Sequence, residues 1–99
     1  MARLLLILTP KARQDLDSIW TFSQDRWGAA QAETYVRLIA GALDCLARGT
    51  IVGRDASAVK AGYLRHAVGS HVVFFRLAGK ETLEVVRILH QRMDLPRHL

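Results

Sequence analysis

The four residues "WGAA" at 27–30 constrain this chain more than any other stretch, because they are all that separates two helical periods. Before them Leu16, Ile19, Trp20 and Trp27 recur near helical spacing; after them Ala32, Val36, Ile39, Leu43 and Leu46 form one stripe, closed by Gly49. So short a link favours an antiparallel helical hairpin. The first helix carries its own start signal, with Thr9 as N-cap and Pro10 at the first helical position, where a missing N–H costs nothing. Ahead of it, the aliphatic run of residues 3–8 reads as a strand buried on both faces.

The second half of the chain changes period. Residues 50–62, rich in small and turn-forming side chains, have no clear repeat and read as a loop. Three short runs follow: "YLRHAV", then "HVVFFRL" behind Gly69-Ser70, then "TLEVVRILH" behind "AGKE". The first turn is a two-residue hairpin signal and the second a looser one. The expected order is β-α-α-β-β-β, an α+β fold with the helical hairpin on one face of a small antiparallel sheet. With 99 residues, about half of them apolar, the chain closes one core as a single domain over residues 1–99.

Strand pairing adds what spacing cannot. A turn at Gly69-Ser70 sets Arg65 opposite Phe74 and Tyr63 opposite Arg76; a turn centred on Gly79-Lys80 sets Leu83 beside Arg76 and Arg87 beside Val72. Arg65, Arg76 and Arg87 then share one face. Leu64, Val68, Val73, Phe75, Leu77, Val86 and Ile88 take the other, under the helices. Two readings of the arginine face stay open: a solvated surface whose stems cover apolar neighbours, or a basic trough for an anionic ligand or an acidic amphipathic peptide. The formal charge of +5 suits an anionic partner without choosing between nucleic acid and polypeptide.

Other chemistry finds little support in the sequence. The single Cys45 has no disulfide partner within the chain, sits in an apolar helical pattern as a core residue, and points to a reducing cytoplasm. "MARLLLIL" imitates a signal peptide, but its apolar run is too short and turns polar at "TPKARQD". No run is long enough for a membrane span. His66, His71, His90 and His98 lack a metal-ligand spacing, and no phosphate loop or nucleophile elbow occurs, so neither a metal nor a cofactor is expected. Trp20 and Trp27, seven residues apart, are expected mainly in the core, with enough exposure to anchor a partner.

"LTPKARQDLDSIWTFSQDRWGAAQAETYVRLI", "GR" at Gly53-Arg54, "GYLRHAVGSHVVFFR" and "LEVVRILHQRMDLPRHL" together resemble the ParE toxins of ParDE toxin-antitoxin modules, within the wider ParE/RelE superfamily. The likeness spans nearly the whole chain. It implies a bacterial cytoplasmic toxin that blocks DNA gyrase and is neutralised by a ParD-type antitoxin. On this reading Trp20, Trp27, Arg65, Arg76 and Arg87 are the expected antitoxin contacts, and His90 with Arg92, Met93 and Asp94 of "RMD" the target contacts. The alternative within the superfamily is a RelE-like, ribosome-dependent messenger RNA endonuclease. That reaction needs acid, base and cation to converge. His90 and Glu84 fall on the parity opposite the arginines, and Lys60 and Tyr63 offer help only from the loop edge, so no catalytic residue is assigned. A plain nucleic-acid-binding module is a third class, disfavoured for want of a recognition helix or an aromatic platform; sequence-specific nucleic-acid binding by the chain alone is not expected.

Overall fold

A computed structural model describes residues 3–93. The elements are β1 (Leu5–Leu8), α1 (Pro10–Trp27), α2 (Ala29–Arg48), β2 (Arg54–Asp55), β3 (Leu64–Val68), β4 (His71–Ala78) and β5 (Thr82–His90). The expected β-α-α-β-β-β order holds, with one addition: the stretch read as a loop contributes β2, a two-residue strand too short to show a period. The sheet order is β1-β5-β4-β3-β2. β1 runs parallel to β5, and every other pair is antiparallel. The helical hairpin carries the chain from β1 at one sheet edge to β2 at the other, and β3 and β4 bring it back to β5, which pairs parallel with β1.

The helix boundaries fall where the signals placed them. Thr9 is the N-cap of α1, and its hydroxyl accepts from the Ala12 N–H at 3.1 Å. The same hydroxyl donates to the Val86 carbonyl at 2.8 Å, so the cap also fastens the helix start to β5. Between the helices Gly28 takes φ +90°, a value that L side chains rarely adopt, and makes the hairpin possible with a single linking residue. Ile39, Leu43 and Leu46 of α2 join Ala12 and Ile19 of α1 over Val73, Phe75, Leu83 and Val85 of the sheet. A smaller cluster of Ala56, Tyr63, Phe74 and Leu89 lies on the sheet's other face.

β1 departs from expectation. Its residues alternate between exposed and half-buried, with Leu5 at 62% and Ile7 at 41% exposure. The helices cover one face of this edge strand, and among the described residues nothing covers the other. A continuous aliphatic run therefore does not by itself mean burial on both sides.

The sheet register corrects the arginine face. Arg65 does lie opposite Phe74. Beyond that, the β4–β5 loop holds three residues, with Ala78 paired to Thr82, and a bulge interrupts the ladder at Phe74/Phe75. Arg76 thus meets Glu84 and Arg87 meets Phe74, not Leu83 and Val72. Each irregularity shifts the parity of β5. Leu83 and Val85 go under the helices, Val86 packs on the smaller cluster, and Leu77 is 55% exposed.

Candidate protein-binding surfaces

The three arginines expected to share a trough are in three different situations. Arg87 forms a two-pronged pair with Asp15 of α1, Nε to Oδ2 at 2.8 Å and Nη2 to Oδ1 at 2.9 Å. Asp15 Oδ2 also accepts from the Ile88 N–H at 2.9 Å, so one carboxylate serves β5 beyond the point where β1 stops pairing with it. Both side chains are largely buried, and the hydrogen bonds to Asp15 raise the Arg87 pKa. Arg76 pairs with Glu84 at 2.7 Å on the surface, and that contact raises its pKa as well. Arg65 alone of the three has no carboxylate against it among the described residues.

Arg65 has a companion that sequence parity missed. β2 sets Arg54 directly opposite it. The two guanidinium side chains border a cleft of about 530 Å³ whose floor is Ala67 and Val72, with Val52 at 85% exposure on its rim. The "GR" dipeptide was visible in the sequence, but nothing in a two-residue strand announces its partner.

A second surface runs along the other side of the molecule, between α1 and the end of β5. Trp27, the last residue of α1, is 58% exposed and stands edge-on to Phe22, itself 55% exposed, with ring centres 6.2 Å apart. It is not the core residue that its spacing suggested: it closes α1 beside the single linking residue Gly28, where it stays mostly exposed. Trp20 is half-buried. Phe22, His71, His90 and Met93 border one groove with the aliphatic parts of Ile88 and Leu89, and the groove continues past Trp27 towards Tyr35. His71 and His90 are cross-strand partners whose rings meet edge-on at 5.3 Å.

Tyr35 of α2 holds this corner together. Its hydroxyl accepts from the Ser70 N–H at 3.0 Å, lies 2.6 Å from His71 Nδ1, and is placed to donate to the Val68 carbonyl at 3.4 Å. Burial lowers the His71 pKa, His90 adds to the lowering, and Asp15 partly offsets it. Gly69 lies under the tyrosine with φ +56°; a Cβ there would sit 2.8 Å from the ring. Past His90 the chain turns back, the Met93 N–H donating to the His90 carbonyl and the Arg92 N–H to His90 Nδ1. Trp27, expected to touch one partner, and His90 and Met93, expected to touch another, thus border one continuous groove. Arg92 is exposed beside it. Asp94 lies outside the described residues.

His71 and His90 line a groove with Asp15, the partner of Arg87, whereas Arg54 and Arg65 border a cleft with His66 towards the β2 edge. Lys60 stacks over the Tyr63 ring at 5.5 Å, and Tyr63 is buried. No helix among the described residues is long and apolar enough to cross a membrane.

Comparison with known proteins agrees with this architecture. The ParE1 toxin of Mycobacterium tuberculosis is 43% identical over 93 residues, covering 94% of this chain and 95% of that protein. The ParE1 toxin of Caulobacter vibrioides is 41% identical over 92 residues, covering 93% and 94%. A solved chain of the chromosomal ParDE toxin-antitoxin system of Pseudomonas aeruginosa superposes with a TM-score of 0.77 at 23% identity, covering 89% of this chain and 96% of that one. Residues 6–95 match the family described as "ParE toxin of type II toxin-antitoxin system, parDE", and the chain belongs to that family.

Proposed function

We propose that this protein arrests growth in the cytoplasm by inhibiting DNA gyrase, and that a ParD-type antitoxin neutralises it by covering the surface that gyrase would meet. The single observation that carries the reading is a pair of adjoining hollows: the exposed Trp27 lines one and Met93 the other, and Phe22, His71 and His90 line both. Exposed aromatic side chains beside an apolar floor are the usual anchors of protein interfaces. A partner seated on Trp27 therefore excludes any other macromolecule from His90 and Met93. Neutralisation becomes a matter of occlusion, with no conformational change required.

The toxin acts by binding, without catalysing a reaction. In support, Arg76 and Arg87 are engaged by carboxylates, and His71 and His90 line a groove apart from the cleft that Arg54 and Arg65 border with His66. A supercoiling assay with purified gyrase, run beside a ribosome-primed messenger RNA cleavage assay, tests the proposal. The expected result is lost supercoiling with intact message, and recovery of supercoiling when antitoxin is added. Cuts in the message with unaffected gyrase would instead make the chain a ribosome-dependent nuclease. Trp27→Ala should keep the fold and weaken antitoxin binding by about 2 kcal/mol or more; unchanged affinity by calorimetry would move the antitoxin off the groove.

A further inference from the structure

β1 is the outermost strand of the sheet, with β5 on one side and no strand on the other. The Leu5 N–H donates to the Glu81 carbonyl and the Thr9 N–H to the Val85 carbonyl, so odd-numbered residues of β1 turn their backbone groups towards β5. By that alternation the backbone groups of Leu4, Leu6 and Leu8 face outward. The Leu4 N–H is taken by the Ala47 carbonyl near the end of α2. The Leu4 carbonyl and both groups of Leu6 and Leu8 are left along the edge.

An exposed edge is ordinarily blunted by a charge, a proline or a bulge. Residues 4–8, "LLLIL", carry neither charge nor proline, and the register of β1 with β5 runs without interruption. Leu4, Leu6 and Leu8 pack against the main core, while Leu5 and Ile7 stand exposed on the other side of the strand. The ionic groups beside the strand are matched within the chain: Arg3 pairs with Asp44, and Glu84, the neighbour of Ile7 on β5, pairs with Arg76. The edge is thus apolar, uncharged and open at once.

The same five residues specify what covers it. Read in either direction they are aliphatic at every position, so the strand is complementary to itself. Two copies set antiparallel about a two-fold axis at Leu6 place Leu6 opposite Leu6, Leu5 opposite Ile7 and Leu4 opposite Leu8, and every cross-strand contact is aliphatic. The hydrogen bonds fit as well. The two Leu6 residues exchange both of theirs, and each Leu8 N–H meets the partner's Leu4 carbonyl, while the Leu4 N–H stays with Ala47. We propose that the protein self-associates through β1 as a two-fold dimer in which two sheets become one. The pairing uses the edge in both copies, so it closes at two and does not propagate. A ladder this short buries less than the about 1,200 Å² of a standard interface, so the dimer is weak and depends on protein concentration. The inference does not rest on gyrase being the target.

Sedimentation velocity of the full chain over a roughly hundredfold range of concentration should show monomer passing to dimer. Ile7→Lys puts a charge on the exposed side of the ladder and should raise the dissociation constant at least tenfold without lowering the melting temperature. Leu6→Pro should do the same, because proline is tolerated where an edge N–H faces solvent but cannot donate. Cysteine pairing on a Cys45→Ser background reads the register. Leu5→Cys mixed with Ile7→Cys should link by a disulfide under mild oxidation, since opposite residues on an antiparallel ladder lie about 4.5–5.5 Å apart at Cα, within disulfide reach. Each variant alone should stay largely unlinked, because its two copies sit two residues out of step. A chain that remains monomeric throughout would overturn the proposal, as would Ile7→Lys and Leu6→Pro dimers as tight as the parent's, or cysteine variants that link as well alone as mixed.

Discussion

Two corners of the sheet carry arginines and treat them in opposite ways. Where α1 meets β5, Arg87 is gripped by Asp15, which also serves the Ile88 N–H. Where β2 meets β3, Arg54 and Arg65 face each other with no carboxylate among the described residues. One corner is finished within the chain; the other, among the described residues, is not. The residue type is the same, so what separates a structural cation from a recognition cation is whether another element delivers a carboxylate to it. Asp15 is delivered because Thr9 and Pro10 fix the start of α1 over β5, whereas β2 ends after two residues.

The strongest way to break this comparison is to remove the carboxylate. Asp15→Ala deletes both prongs of the Arg87 pair and the acceptor of the Ile88 N–H in a largely buried corner, and should cost about 3–5 kcal/mol in urea unfolding. Arg65→Ala, on the exposed cleft, should change stability by less than about 0.5 kcal/mol. Similar losses in the two variants would mean that the corners do not differ in kind.

How far the sequence could foresee this contrast depends on the element. The helical hairpin was legible because Thr9, Pro10, Gly28 and Gly49 each mark a boundary by a local rule, and α1 and α2 begin and end beside them. The first β-hairpin was legible too, since a two-residue turn at Gly69-Ser70 fixes its register. The second was not: a third loop residue and a bulge near Phe74 depend on how β5 meets β1, α1 and β4 together, and no local pattern encodes that. The error passed directly to function, because each slip moves a side chain to the other face. Asp15 was invisible as a partner for Arg87, being 72 residues away in the chain. Trp27 was misjudged for a different reason: helical spacing shows which side of a helix a residue occupies, but not how much of it the neighbouring elements cover.

A smaller effect should come from the turn that ties the finished corner together. Gly69→Ala demands φ +56° of an alanine and drives its Cβ against the Tyr35 ring, so a loss of roughly 1–3 kcal/mol is expected. The cost has two parts, which Tyr35→Phe separates. That substitution removes the hydroxyl that receives the Ser70 N–H and leaves the backbone angle alone; its loss should be nearer about 1 kcal/mol. If the two substitutions cost the same, the turn is held by the hydroxyl and the glycine conformation adds nothing.

The smallest expected effect is a pH dependence confined to the finished corner. His71 has a pKa lowered from 6.5 chiefly by burial, with His90 contributing and Asp15 opposing, so the folded chain takes up this proton less readily than the unfolded one. Well above pH 6.5 the residue is neutral in both states and its contribution to stability is complete. As the pH falls below that value the unfolded state is protonated first, and stability declines until folded His71 is protonated as well. Urea unfolding followed from about pH 7.5 to 5.5 should show this decline in the parent chain. His71→Gln, which keeps a polar side chain but cannot titrate, should flatten it, and Arg65→Gln at the open corner should leave it unchanged. A decline that persists in His71→Gln would place the titrating group elsewhere and remove the histidine from the account of how this corner is held.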